Sequence, residues 1–94
     1  MPELPSQKPT FEEDVDSISD IASRVVLYND DWHTFDEVIA QLIKAINCTY
    51  EQARALSFEV HVKGKAIVFS GSMPDCLKVS SILEEIALHT QIIT

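Results

Sequence analysis

The chain has 94 residues, 46% of them hydrophobic, with two glycines and a formal charge of −8. That length holds one domain with a core of ordinary composition, and the acidic balance excludes a nucleic-acid surface, which needs clustered lysine and arginine. No run of about 18 apolar residues occurs, so no membrane span is expected, and Met1-Pro2-Glu3-Leu4-Pro5 lacks the basic and apolar regions of a signal peptide; a soluble, cytoplasmic protein is the expectation.

Residues 1–20 hold three of the four prolines and six acids against Lys8 alone, a net of −5. They predict a disordered, solvated acidic arm ahead of a folded domain at 21–94. Phe11, Val15 and Ile18 stand out in it, as incidental apolar side chains or as a short docking motif.

Residues 23–29 are β-branched and aromatic, and predict a strand. Three helix-start signals follow: Thr34-Phe35-Asp36-Glu37, Thr49-Tyr50-Glu51-Gln52 and the acidic variant Ser72-Met73-Pro74-Asp75. Each can satisfy free amide donors at a helix N-terminus through side chains three residues apart. The first helix, about 35–47, sets Phe35, Val38, Ile39, Leu42, Ile43 and Ile46 on one broad face. The second, about 50–62, aligns Tyr50, Ala53, Leu56, Ser57 and Val60, and Gly64 supplies its stop. Residues 65–70 predict a strand broken by Gly71. A third helix, about 73–88, is expected to bury Val79, Ile82, Leu83, Ile86 and Ala87, and a short strand over 91–93 closes the chain. The expected fold class is therefore α+β, a small three-stranded antiparallel sheet with three helices packed on it, in the order β-α-α-β-α-β.

Cys48 and Cys76 lie 28 positions apart with no second thiol near either. That spacing supports neither a zinc site nor a redox pair, and both are expected to be small core residues. Asn29-Asp30-Asp31, at the end of the first strand, is either a polar turn or a set of acceptors for an ammonium group or a cation. The spacing is not that of a calcium loop, so no metal and no cofactor are expected. His33 is expected to be an exposed turn histidine. His61 ends an apolar stripe just after Val60, and in neutral form can accept a hydrogen bond from an amine. Ser57 lies one turn from His61, but neither a strained elbow nor oxyanion glycines mark it as a nucleophile. No catalytic residue is expected, and the chain is not expected to be an enzyme.

The segment Val25-Val26-Leu27-Tyr28-Asn29-Asp30-Asp31-Trp32, the helix carrying Val38-Ile39, and Val60-His61-Val62-Lys63-Gly64-Lys65-Ala66 together resemble the ClpS family. Its members are adaptors that bring N-end rule (N-degron) substrates to the Clp ATP-dependent protease. The resemblance implies that Asn29, Asp30 and His61 contact the α-amino group of a protein whose first residue is bulky and apolar. It further implies that Phe35, Val38, Leu42 and Val60 surround that side chain, and that Lys78 and Trp32 face the Clp-family AAA+ unfoldase. The partners so implied are N-degron proteins and the unfoldase's N-terminal domain, with this chain a monomer. Two departures stand out. Family members commonly follow the acidic turn with Thr-Pro-Met, where this chain has His33-Thr34-Phe35; the stiffer Phe35 implies a narrower or shallower pocket. Ser57 stands where the family often has an apolar residue, making one wall smaller and more polar.

Two other classes compete. The topology also resembles the C-terminal domain of ribosomal stalk proteins, a docking module, but that class usually carries an exposed basic helix. The third helix here has Lys78 against Asp75, Glu84 and Glu85. A small hydrolase or metal enzyme built on Asp30, Asp31, His33 and His61 is the remaining alternative. A divergent adaptor without first-residue recognition is also compatible with the residues.

Overall fold

The computed structural model describes residues 22–94; the expectations for residues 1–20 lie outside them. The element order is β1 (Ser23–Tyr28), α1 (Phe35–Ile46), α2 (Tyr50–Lys63), β2 (Lys65–Gly71), α3 (Met73–Glu84) and β3 (Thr90–Ile93). The sheet runs β2-β1-β3 with both pairings antiparallel. The α+β architecture expected from the sequence is the one observed.

Capping chemistry sets the helix starts. Thr34 accepts from the Glu37 amide while the Glu37 carboxylate accepts from the Thr34 amide, and Thr49 and Gln52 repeat the arrangement for α2. Ser72 caps α3 by accepting from the Asp75 amide, with Pro74 in the first turn, where its missing N–H costs nothing. Asn47 and Gly64 end α1 and α2 in left-handed conformations, with φ of 54° and 87°.

Alternation along the strands puts Val25 and Leu27 of β1, and Ala66 and Val68 of β2, into the core. Ile39 and Leu42 of α1, Ala53 and Val60 of α2, and Cys76, Val79 and Leu83 of α3 complete it. Leu27, Leu42 and Leu83 are fully buried, so each forms part of the apolar mass that holds the layers together. Cys76 is buried, Cys48 is half-buried, and both are free thiols.

Three expectations about packing are corrected. Tyr50, the first residue of α2, is exposed rather than part of the buried face of that helix. The third helix ends at Glu84, four residues before the expected 88. Ala87, expected in the core, is exposed and takes a φ of 65°, so the chain reverses there and drives Leu88 into the core instead. An alanine in the left-handed region is uncommon, and no local signal announces it.

Two side chains from the α1 side donate to carbonyls at and just beyond the end of α3, that of Ile82 also accepting the Glu85 backbone N–H. The Gln41 side-chain amide, itself buried, donates to the Ile82 carbonyl. His33 does the same for the carbonyl of Ile86. The end of α3 is thus stitched to the segment that leads into α1, and this stitch positions the site.

Candidate functional site

The turn after β1 is built by Asp30. Its Oδ1 accepts the backbone N–H groups of Trp32 at 3.1 Å and His33 at 2.8 Å, and its Oδ2 lies 2.6 Å from His33 Nδ1. An aspartate that bonds its own backbone two and three residues on is a favoured way to reverse a chain. One residue earlier, the Asn29 backbone N–H donates to the Gly64 carbonyl at 2.9 Å. That bond clamps the turn to the end of α2, three positions beyond His61.

His33 is not the exposed turn histidine expected. Its side chain is only 10% exposed, and both ring nitrogens are engaged, Nδ1 by the Asp30 carboxylate and Nε2 by the Ile86 carbonyl. Both partners can only accept, so the imidazolium form, in which both ring nitrogens donate, is the one that satisfies both. The hydrogen bond to Asp30, followed by that to Ile86, raises the His33 pKa above its ordinary value, against the opposing effect of burial. For Asp30, burial is the largest influence and pushes the pKa up. The bonds from the His33 backbone and ring and from the Trp32 amide together outweigh it and hold the carboxyl below its ordinary value. The pair is a charged clasp joining turn and helix end.

Between this turn, the start of α1 and the last half of α2 lies a cavity of about 310 Å³. Asn29, Asp31 and His61 stand exposed at its rim; Leu27, Val60 and Leu88 lie buried at its floor, with half-buried Val38 beside them. Asp30 and His33 also line it. Phe35, 39% exposed, sets its ring perpendicular to that of His61 with centroids 6.2 Å apart. That edge-to-face contact bridges the mouth from α1 to α2. One wall carries Ser57, only 3% exposed, whose Oγ has no hydrogen-bond partner among the described residues. A buried hydroxyl left unpaired costs about 1–3 kcal/mol, so it needs an explanation.

Of the residues singled out from the sequence, Asn29, Asp30, His61, Phe35, Val38 and Val60 all line this one cavity. Leu42 does not: it is fully buried in the core, where α1 packs on α2 and α3. Trp32 is 77% exposed and Lys78 is exposed on α3; neither lines the cavity. Sequence reasoning missed Leu88, which a helix extended to 88 hides, and the clasp made by His33. The Asp30-x-x-His33 spacing is the only local hint of that clasp. Asp30 has two of its oxygens occupied by its own turn, so the least encumbered acceptors at the rim are Asn29, Asp31 and His61. No cluster of three metal-ligating side chains exists among the described residues, and no described helix is long and apolar enough to cross a membrane.

The arrangement can hold a small cationic head at a polar rim with an apolar group beneath it. The chain is similar to several known proteins. The chain is 43% identical over 53 residues to the E3 ubiquitin-protein ligase ubr-1 of Caenorhabditis elegans, a match covering 56% of this chain and 3% of the ligase. It is 47% identical over 45 residues to the ATP-dependent Clp protease adapter protein ClpS of Treponema denticola, covering 48% of this chain and 45% of that one. The chain thus spans less than half the length of these curated relatives. In fold it is similar to ClpS2 of Agrobacterium tumefaciens, solved bound to L-phenylalaninamide, with a TM-score of 0.72 at 17% identity, covering 77% of this chain and 94% of the other. The family described as ATP-dependent Clp protease adaptor protein ClpS matches residues 19–91, and the chain belongs to that family.

Proposed function

We propose that the cavity receives the first residue of a polypeptide with a free α-amino group, and that the chain is a non-enzymatic adaptor presenting such N-degron substrates to a Clp-type AAA+ unfoldase. The observation that carries this reading is the meeting, in one cavity, of rim acceptors from the β1–α1 turn and α2 with an apolar floor from three elements and the α3–β3 connection. An ammonium head takes its hydrogen bonds from Asn29, His61 and the acidic turn, where Asp31 and the remaining lone pairs of Asp30 add negative charge. Each bond to a charged group is worth about 1.5–3 kcal/mol. Burying the first side chain against Val38, Val60 and Leu88 adds about 1.5–3 kcal/mol.

Requiring both elements excludes internal leucine or phenylalanine, which lack the ammonium, and N-terminal lysine or aspartate, which fill the apolar floor badly. L-phenylalaninamide, the molecule bound to the Agrobacterium ClpS2, has both a free α-amine and a benzyl side chain. In this reading exposed Trp32 and Lys78 face the unfoldase, the adaptor works as a monomer in the cytoplasm, and it needs no metal or cofactor. The ubiquitin-ligase relatives favour a second reading of the delivery step alone, in which the same recognition serves a ligase.

Isothermal titration with a peptide beginning in free Leu or Phe, beside its N-acetylated twin, tests the recognition step. Binding of the free amine with loss on acetylation is expected; equal binding of the two would refute ammonium recognition. Co-sedimentation with a purified Clp unfoldase tests delivery.

A further inference from the structure

From the unpartnered hydroxyl in the cavity wall we infer that Ser57 is a specificity-determining residue, selecting a first side chain that ends in a hydroxyl, tyrosine over phenylalanine. The inference rests on the cavity reading proposed above and deepens it. Ser57 is 3% exposed and lines the cavity, yet its Oγ bonds nothing among the described residues. Serine in a helix commonly bonds a backbone carbonyl one turn back, and here it leaves that bond unmade. A group held in the wall of a binding cavity, cut off from bulk water and without an internal partner, is poised for a partner brought by the ligand.

The helix sets the distance. Ser57 precedes His61 by four residues on the same face of α2, so it lies about 6 Å deeper along the axis. With the α-amino group at His61, that depth matches the reach from a first residue's Cα to a tyrosine hydroxyl. A phenylalanine ring ends one atom short and covers Ser57 with carbon. Val60, also on this face, and Val38, opposite on α1, flank the ring and leave the hydroxyl as the polar point on an otherwise apolar path. A tyrosine hydroxyl both donates and accepts, so it satisfies the Ser57 oxygen in either sense.

The test is a double-mutant cycle. Peptides identical except for a first Tyr or Phe, each free and N-acetylated, are titrated into the full chain and into Ser57→Ala, with thermal melts of both proteins. The wild type is expected to bind free Tyr about fivefold more tightly than free Phe, the worth of one net hydrogen bond. In Ser57→Ala the preference should vanish, mainly through weaker Tyr binding, while the melting temperature holds or rises because a buried orphan is removed. Equal Tyr and Phe affinities in the wild type, both abolished by acetylation, would overturn the Ser57 role and leave the cavity reading standing. A Tyr preference that survives Ser57→Ala would do the same. Binding indifferent to acetylation would overturn both. Should Ser57→Ala melt early, Ser57→Cys, nearly isosteric with a weak donor, is read in its place, with the Tyr preference expected to fall.

Discussion

His33 offers the most searching test of how the turn is held. Replacing it with alanine removes the donor to the ionised Asp30 carboxylate, a bond worth about 1.5–3 kcal/mol, and strips the Ile86 carbonyl of its partner. We expect His33→Ala to lose about 3 kcal/mol of unfolding free energy near pH 6, more than about 10 °C in melting temperature for a domain of this size. The pH dependence carries the sharper information. Because the folded pKa of His33 is raised, its contribution is complete below the ordinary value of 6.5 and fades as pH rises through the folded pKa. Because the folded pKa of Asp30 is lowered, its contribution is present above 3.8 and is lost as pH falls through the folded pKa. The gap between wild type and His33→Ala should therefore be widest between those two values and narrow as pH rises through the folded pKa of His33, above which neutral imidazole can donate to only one of its two acceptors. Urea unfolding followed by far-UV circular dichroism measures the gap. Fluorescence of Trp32, the only tryptophan, whose ring lies 5.7 Å from that of His33, follows the turn itself. A gap below about 0.5 kcal/mol, or one that stays constant as pH rises through the titration of His33, would refute the charged clasp.

His61→Ala should weaken binding of a free-amine peptide by tenfold or more, the value of one charge-assisted bond, and leave the acetylated peptide unaffected; titration calorimetry reads both. Gly64→Ala should cost about 1 kcal/mol in urea unfolding: a Cβ there meets nothing within 4 Å, but the φ of 87° is strained for alanine. The same variant shifts the carbonyl that holds Asn29, so peptide affinity should fall with stability. Thr34→Ala removes half of a reciprocal cap and should cost about 1 kcal/mol, with a local rise in amide exchange at Glu37.

Much of the fold was legible because its signals are local. The reciprocal caps at Thr34–Glu37 and Thr49–Gln52 act within one helical turn, and each opens where the residues say it should. Periodicity marked Ile39, Leu42, Val79 and Leu83 as buried, and they are. The cavity-lining residues Asn29, Asp30, Val60 and His61 were also marked in advance, by an apolar strand running into a polar turn and by a histidine ending an apolar stripe. Leu42 shows the limit of that reasoning. Periodicity assigns it to the buried face of α1 but cannot say whether that stretch of the face meets the cavity or the neighbouring helices.

Local chemistry thus dictated on its own where each helix begins, which residues seek the interior, and the β-α-α-β-α-β order, since capping and side-chain alternation operate over a few residues. Only the packed molecule settled where α3 stops, that Leu88 rather than Ala87 turns inward, and that His33 is a charged clasp. Those outcomes depend on groups far apart in the chain: His33 and Ile86 are 53 residues from each other, and Asn29 and Gly64 are joined by a bond between separate elements. A carbonyl left free at a helix end finds its donor, and a hydroxyl loses its partner, only once the layers have closed on one another.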